Sequence, residues 1–240
     1  MEGLHIGGLT PFSSSDWPGR LAAVVFVQGC PWRCSYCHNE ALQPRAGAGR
    51  DGAQVLDWLK RRKGLLDGVV FSGGEPLLDK NLPQALEQVR ALGFATGLHT
   101  AGIYPARLKQ VLPLLDWVGL DLKASLDEQG SYAPITGAEG AHHAVLQCLD
   151  LVLDAHRQHG LQYECRTTCH PEWMDTAQLL RMAAQLAARG VQHWVLQEAR
   201  PTPGWRPALS TVLDGPGASW PMAQLRALLP SLTLRHAQAS

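Results

Sequence analysis

Short apolar runs of strand length alternate with helical patterns along most of this chain, and that rhythm limits the folds open to it. Leu21–Gln28 is a continuous run rich in β-branched residues, as in a strand buried on both faces. Further strands are predicted at Asp67–Ser72, Phe94–His99, Trp117–Leu122, Leu161–Thr168 and Gln192–Gln197. Helices are predicted between them at Asp51–Gly64, Asn81–Leu92, Pro105–Leu115, Ala141–His159 and Asp175–Arg189. About six βα units result, fewer than the eight of a closed barrel. The expected fold is therefore α/β, a partial, open (β/α)6 TIM-like barrel, with a flat doubly wound sheet as the alternative. A single domain is expected. Residues 1–20 form an N-terminal extension, 21–198 the partial barrel, and 199–240 a Pro/Gly-rich loop (199–220) followed by a helix at Met222–Leu229. A short edge strand at Leu232–Leu234 would complete it.

Charge narrows the function. Lys+Arg and Asp+Glu are equal at 21 each, so no basic excess is available for phosphates and nucleic acid is not an expected partner. The longest apolar run, Leu21–Val27, is far below the roughly 20 residues of a membrane span. The N-terminus lacks a charged region followed by an apolar one, so a cytoplasmic protein is expected.

Three of the six cysteines, Cys30, Cys34 and Cys37, fall in one short segment directly after the first strand. Such clustering points to metal rather than to disulfides. Three soft thiolates on one loop suit an iron–sulfur cluster and leave one iron open. Two competing readings are a Cys3His zinc site completed by His38 and three unrelated core cysteines. Cys148, Cys165 and Cys169 read as core or incidental thiols.

Other chemistry-bearing residues gather at strand ends. Ser72-Gly73-Gly74-Glu75-Pro76 ends the second strand, where glycines allow close approach to a ligand and Glu75 is able to accept from an ammonium group. The competing reading is a plain tight turn. Asp121 and Lys123 alternate with Leu120 and Leu122 and so share a face, or form a surface salt bridge. Glu164 and Arg166 alternate on the fifth strand. Arg166 suits bidentate capture of a carboxylate, and an internal Glu164–Arg166 pair is the alternative. His99 and Thr100 end the third strand and Gln197 the sixth. Catalytic groups of βα barrels collect at this end of the strands.

The spacing Cys30-x3-Cys34-x-Tyr36-Cys37 resembles the signature of the radical S-adenosylmethionine (SAM) superfamily. The resemblance implies one [4Fe–4S] cluster on Cys30, Cys34 and Cys37, with SAM on the open iron and Tyr36 by the adenine. Gly73, Gly74, Glu75 and Pro76 resemble the motif that binds the SAM amino group. Asp121-Leu-Lys123 and Arg166 resemble the triplet and the arginine that meet SAM in glycyl-radical-enzyme activases. Asn39, His99, Thr100 and Gln197 are further cofactor candidates. His99 stands where such activases often carry an aspartate that helps bind a monovalent cation. Gly7-Gly8-Leu9, Asp16-Trp17-Pro18-Gly19, Gln28-Gly29-Cys30 and His38-Asn39 resemble the anaerobic ribonucleoside-triphosphate reductase activating proteins. The implied activity is reductive SAM cleavage, with hydrogen abstraction from a glycine of that reductase. The implied partners are the glycyl radical enzyme and a one-electron donor such as flavodoxin. Alternatives are a pyruvate formate-lyase activating enzyme, a radical SAM enzyme acting on a small molecule, and a non-catalytic metal-binding module.

Overall fold

A computed structural model of the protein describes residues 1–45, 49–127, 132–202 and 220–236. Eight strands form one sheet in chain order: β1 (Ile6–Ser13), β2 (Ala22–Val27), β3 (Gly68–Gly73), β4 (Ala95–Thr100), β5 (Trp117–Asp121), β6 (Gln162–Cys169), β7 (Trp194–Glu198) and β8 (Thr233–Arg235). β1 and β8 are the two ends of that order, so the sheet is open. The order never reverses, whereas a doubly wound sheet must reverse at a switch point. The doubly wound alternative is thus ruled out, and β2–β7 supply the six expected units. β2 pairs with β3, β3 with β4, β4 with β5, β6 with β7 and β7 with β8, all parallel.

Helices occupy the crossovers: α1 (Gly52–Lys60), α2 (Leu82–Ala91), α3 (Pro105–Val111), α4 (Tyr132–Thr136), α5 (Ala141–His159), α6 (Thr176–Ala188) and α7 (Met222–Leu228). Their ends follow local chemistry. Asp51 caps α1 by accepting from the Ala53 amide at 2.8 Å. Asp175 and Gln178 form a reciprocal capping box on α6, each bond 2.7 Å. Gly160, at φ 70°, takes the left-handed conformation that ends α5. Of the expected 199–220 loop, residues 203–219 lie outside the described residues. Among the described residues no helix is long and apolar enough to cross a membrane.

The described residues separate into two compact units. The first contains Met1–Pro31, Asn39–Leu120 and Gln147–Tyr163; the second contains Trp32–His38, Asp121–Leu146 and the described part of Glu164–Ser240.

The N-terminal segment differs from its expected place outside the strand rhythm. β1 runs antiparallel to β2, with Ile6 opposite Val27 and Ser13 opposite Ala22. The following turn drives Trp17 into the core, where it packs with Ala22, Val24, Val70 and Trp117. The Trp17 and Trp117 rings stack with centroids 5.7 Å apart. Room for the indole comes from missing side chains: a Cβ on Gly68 or Gly97 would stand 2.9 or 3.0 Å from it. Trp17 is 1% exposed, so its removal leaves a large void against four strands, β2 to β5. Trp17→Ala is expected to cost about 3–5 kcal/mol, read as a lower midpoint in urea with an unchanged slope.

Candidate active site

In the first unit, the end of β3 lies against the turn that leaves β2. The Gly74 amide donates to the Val27 carbonyl at 2.9 Å and the Glu75 amide to the Gly29 carbonyl at 2.8 Å. Gly73 sits at φ 116°, and a Cβ there would stand 2.5 Å from the Val27 nitrogen and oxygen. A Cβ on Gly74 would stand 2.4 Å from the Gly29 oxygen. The close approach these glycines permit is therefore to the protein's own backbone, just before Cys30. On its other side the turn donates from Gly29 to Leu42 (2.7 Å) and from Cys30 to Gln43 (3.0 Å). Asn39 reaches back to donate from its side-chain amide to the Gly73 carbonyl at 3.3 Å.

Glu75 is fully buried. One carboxylate oxygen accepts from the Leu77 amide (3.1 Å) and the Thr100 hydroxyl (2.8 Å). The other accepts from the Ala101 amide at 2.9 Å. Glu75 thus ties the end of β3 to the end of β4, and Pro76 opens the short 3-10 turn Pro76–Leu78 that begins beneath it. His99 joins the same region. Its Nε2 faces the Asp16 carbonyl at 2.8 Å and so donates to it; Nδ1 meets the Ser72 hydroxyl at 3.2 Å. In the neutral ring Nδ1 is then the acceptor. The imidazole also stands edge-on to Trp117 at 5.3 Å.

In the second unit, residues 32–38 hang on α4. The Arg33 amide donates to Thr136 (2.8 Å) and the Ser35 amide to Ile135 (3.1 Å). The Trp32 ring meets Tyr132 edge-on at 6.1 Å. Cys34 and Cys37 are joined by a tight turn, Cys37 amide to Cys34 carbonyl, 3.1 Å. Burial pushes the Cys34 thiol up, opposed by the Lys123 ammonium.

Asp121 stands between two cations. Its Oδ1 accepts from Arg166 through Nε (2.9 Å) and Nη2 (2.8 Å), and its Oδ2 lies 3.6 Å from the Lys123 ammonium. Both cationic side chains are largely buried, at 9% and 11% exposure. Burial opposes the Lys123 charge, but the Tyr36 and Asp121 oxygens outweigh it and hold that pKa above the ordinary lysine value. Glu164, the expected internal partner of Arg166, instead takes Arg235 of β8 in a bidentate pair of 2.8 and 2.5 Å. Gln197, next to last in β7, is half-buried, and its backbone carbonyl accepts from the Cys169 thiol at 3.5 Å. Tyr132, whose hydroxyl accepts from the Lys123 amide at 3.2 Å, and Trp173, stacked on Tyr36, were not singled out by the sequence.

The six cysteines divide cleanly. Cys30, Cys34 and Cys37 are partly exposed, while Cys148, Cys165 and Cys169 are buried. Burial pushes the thiols of Cys148 and Cys169 up to about 12, which suits inert core residues. Among the described residues no three His, Cys, Asp or Glu side chains stand in metal-holding geometry.

Residues 24–163 match the Radical SAM superfamily. The chain belongs to that superfamily. A protein of Methanocaldococcus jannaschii named as a glycyl-radical enzyme activating enzyme is 28% identical over 177 residues, covering 71% of this chain and 70% of the relative. The pyruvate formate-lyase-activating enzyme of Clostridium pasteurianum is 41% identical over 128 residues, covering 51% of this chain. The match spans 52% of that relative, about half its length. Two solved structures share the fold. A radical SAM methyltransferase from Sphaerobacter thermophilus gives a TM-score of 0.66 at 17% identity, covering 93% of this chain and 68% of its own. Streptococcus suis SuiB bound to S-adenosylmethionine gives 0.58 at 14%, covering 88% and 49%.

Radical SAM membership implies a [4Fe–4S] cluster and SAM. The donor chemistry fits: the three thiols in the family's spacing are the three that remain partly exposed.

The tight glycine contacts make a direct prediction. Gly74→Ala is expected to cost more than about 2 kcal/mol, because its Cβ collides with backbone that cannot yield cheaply. Urea unfolding of the cluster-free protein checks this; a loss under 0.5 kcal/mol, roughly the scatter of neutral substitutions, would show that the turn relaxes.

Proposed function

We infer that this chain is a glycyl-radical-enzyme activase, and that its partner is anaerobic ribonucleoside-triphosphate reductase. The relative of M. jannaschii, matched over most of both chains and named for glycyl-radical enzyme activation, carries the first part. The motifs of residues 7–39 support the second, through their resemblance to activators of that reductase. Cytoplasmic location and an external one-electron donor such as flavodoxin belong to the same reading.

When bound, the cluster and SAM supply a one-electron reductive cleavage whose 5′-deoxyadenosyl radical takes a hydrogen atom from a glycine Cα of the partner. The protein's part is to hold and orient. Cys30, Cys34 and Cys37 would ligate three irons and leave the fourth to SAM. Arg166 offers a fork suited to the SAM carboxylate, kept in place by Asp121. Lys123 adds a second fixed positive charge beside Asp121. Gly73, Gly74 and Pro76 form the turn facing the amino group, and Glu75 shapes that turn through Thr100 and Ala101. Asn39 braces it at Gly73. Tyr36 supplies the adenine-side ring, and Gln197 a peripheral contact. His99 is bonded to Asp16 and Ser72, and in this reading it fills the place where related activases bind a cation. No step needs a general base.

The 41% identity to a pyruvate formate-lyase-activating enzyme favours a second reading, with that lyase as partner. Anaerobic EPR separates the two. Reconstituted protein, SAM and reductant are mixed with the reductase and, separately, with pyruvate formate-lyase. A glycyl-radical doublet is expected with the reductase, and Cys37→Ala should abolish it. A doublet with the lyase alone reassigns the partner. Cleavage of SAM without a doublet in either mixture refutes the activase reading and leaves a small-molecule substrate.

A further inference from the structure

The Tyr36 side chain is held through its ring rather than its hydroxyl. The residue is 5% exposed, and the hydroxyl has no hydrogen-bond partner among the described residues. The ring stacks on Trp173, with centroids 4.9 Å apart and planes inclined by 21°. The Lys123 ammonium stands 5.5 Å from the Tyr36 centroid. With no hydrogen bond at the oxygen, the ring plane depends on contacts to the ring, and the stacked indole is the larger of these two.

Trp173 is itself fixed to the end of β6. Its Nε1 donates to the Thr168 carbonyl at 3.3 Å, and its backbone amide to the His170 carbonyl at 3.1 Å. The His170 imidazole, 5.1 Å from the indole, is buried and accepts from the Glu172 amide at 3.2 Å. Trp173 also lines a cavity of about 260 Å³ together with Ser35, Ser125, Ile135 and Met174. Removal of the indole would join that cavity to the face of Tyr36 and leave the phenol ring room to swing.

We propose that Trp173 is a positioning residue that sets the ring plane of Tyr36 for the SAM adenine, so that SAM affinity depends on an aromatic side chain at position 173. The proposal rests on the reading of Tyr36 as the adenine-side ring. Its chemical content is specific: a flat partner is needed at 173, not merely an apolar one.

The test is anaerobic equilibrium dialysis of SAM against the reconstituted full chain, with iron content and unfolding midpoint measured on each variant. Trp173→Leu is expected to weaken SAM about tenfold, and Trp173→Phe to stay within about threefold of wild type. Both should keep wild-type iron. Tyr36→Ala and the double variant Tyr36→Ala, Trp173→Leu should bind SAM alike, because the indole acts only through the phenol ring. Wild-type affinity in Trp173→Leu overturns the proposal, and so do additive losses in the double variant. Wild-type affinity in Tyr36→Ala sinks the adenine-side reading of Tyr36 instead. Where Trp173→Leu loses its iron or its folded midpoint, Trp173→Met, which fills more of the indole volume without a ring, carries the same comparison.

Discussion

The contact between Gly73-Gly74 and the backbone of Val27 to Gly29 decides where the rest of the first unit's site residues can stand. Two peptide segments meet there with no side chain between them, at distances that any Cβ would violate. Hydrogen bonds from Gly74 and Glu75 lock the approach. Cys30 leaves β2 directly from this lock, so its direction is set by backbone geometry rather than by rotamers. Glu75 then passes the constraint on to Thr100 and Ala101 at the end of β4. A buried carboxylate is costly unless its acceptor positions are filled, and here local donors of one short turn and one strand end fill them.

The second unit solves a harder electrostatic problem. Arg166 and Lys123 bring two largely buried positive charges to one carboxylate. Removing one partner of such a group leaves an uncompensated buried charge, at about 3–5 kcal/mol. Glu164 lies near Arg166 in sequence but is neutralised by Arg235 across the β6–β8 strands. Asp121 and Glu164 therefore take different cations.

Much of this was legible in the chain itself. The α5 bounds, Ala141–His159, follow from an uninterrupted helical pattern ending at glycine, and the strands fall within a residue or two of the apolar runs. β1 was not legible. Gly7-Gly8 and Pro11 interrupt its Ile6, Leu9, Thr10 and Phe12, so no continuous apolar run marks it, and its pairing with β2 is a tertiary fact. α4 is a five-residue helix, too short for periodicity to reveal. Site residues in motifs were legible because the chemistry demands particular atoms. Trp173 and Tyr132 act by packing, and an aromatic residue in a loop gives no sign of which ring it will meet.

The protonation pattern ties these features to the chemistry. Enzymes that move protons place a group near neutrality, so that it gains and loses its proton readily. Three groups of the second unit lie far from that range. Lys123 is held above its ordinary value, and burial pushes Tyr36 up and Tyr132 up to about 12. Each of the three keeps a single charge state throughout the physiological range, so none of them is an acid–base candidate. Lys123 and Trp173 both stand against the Tyr36 ring, and their part there is to present a charge and a stacked ring rather than to move a proton.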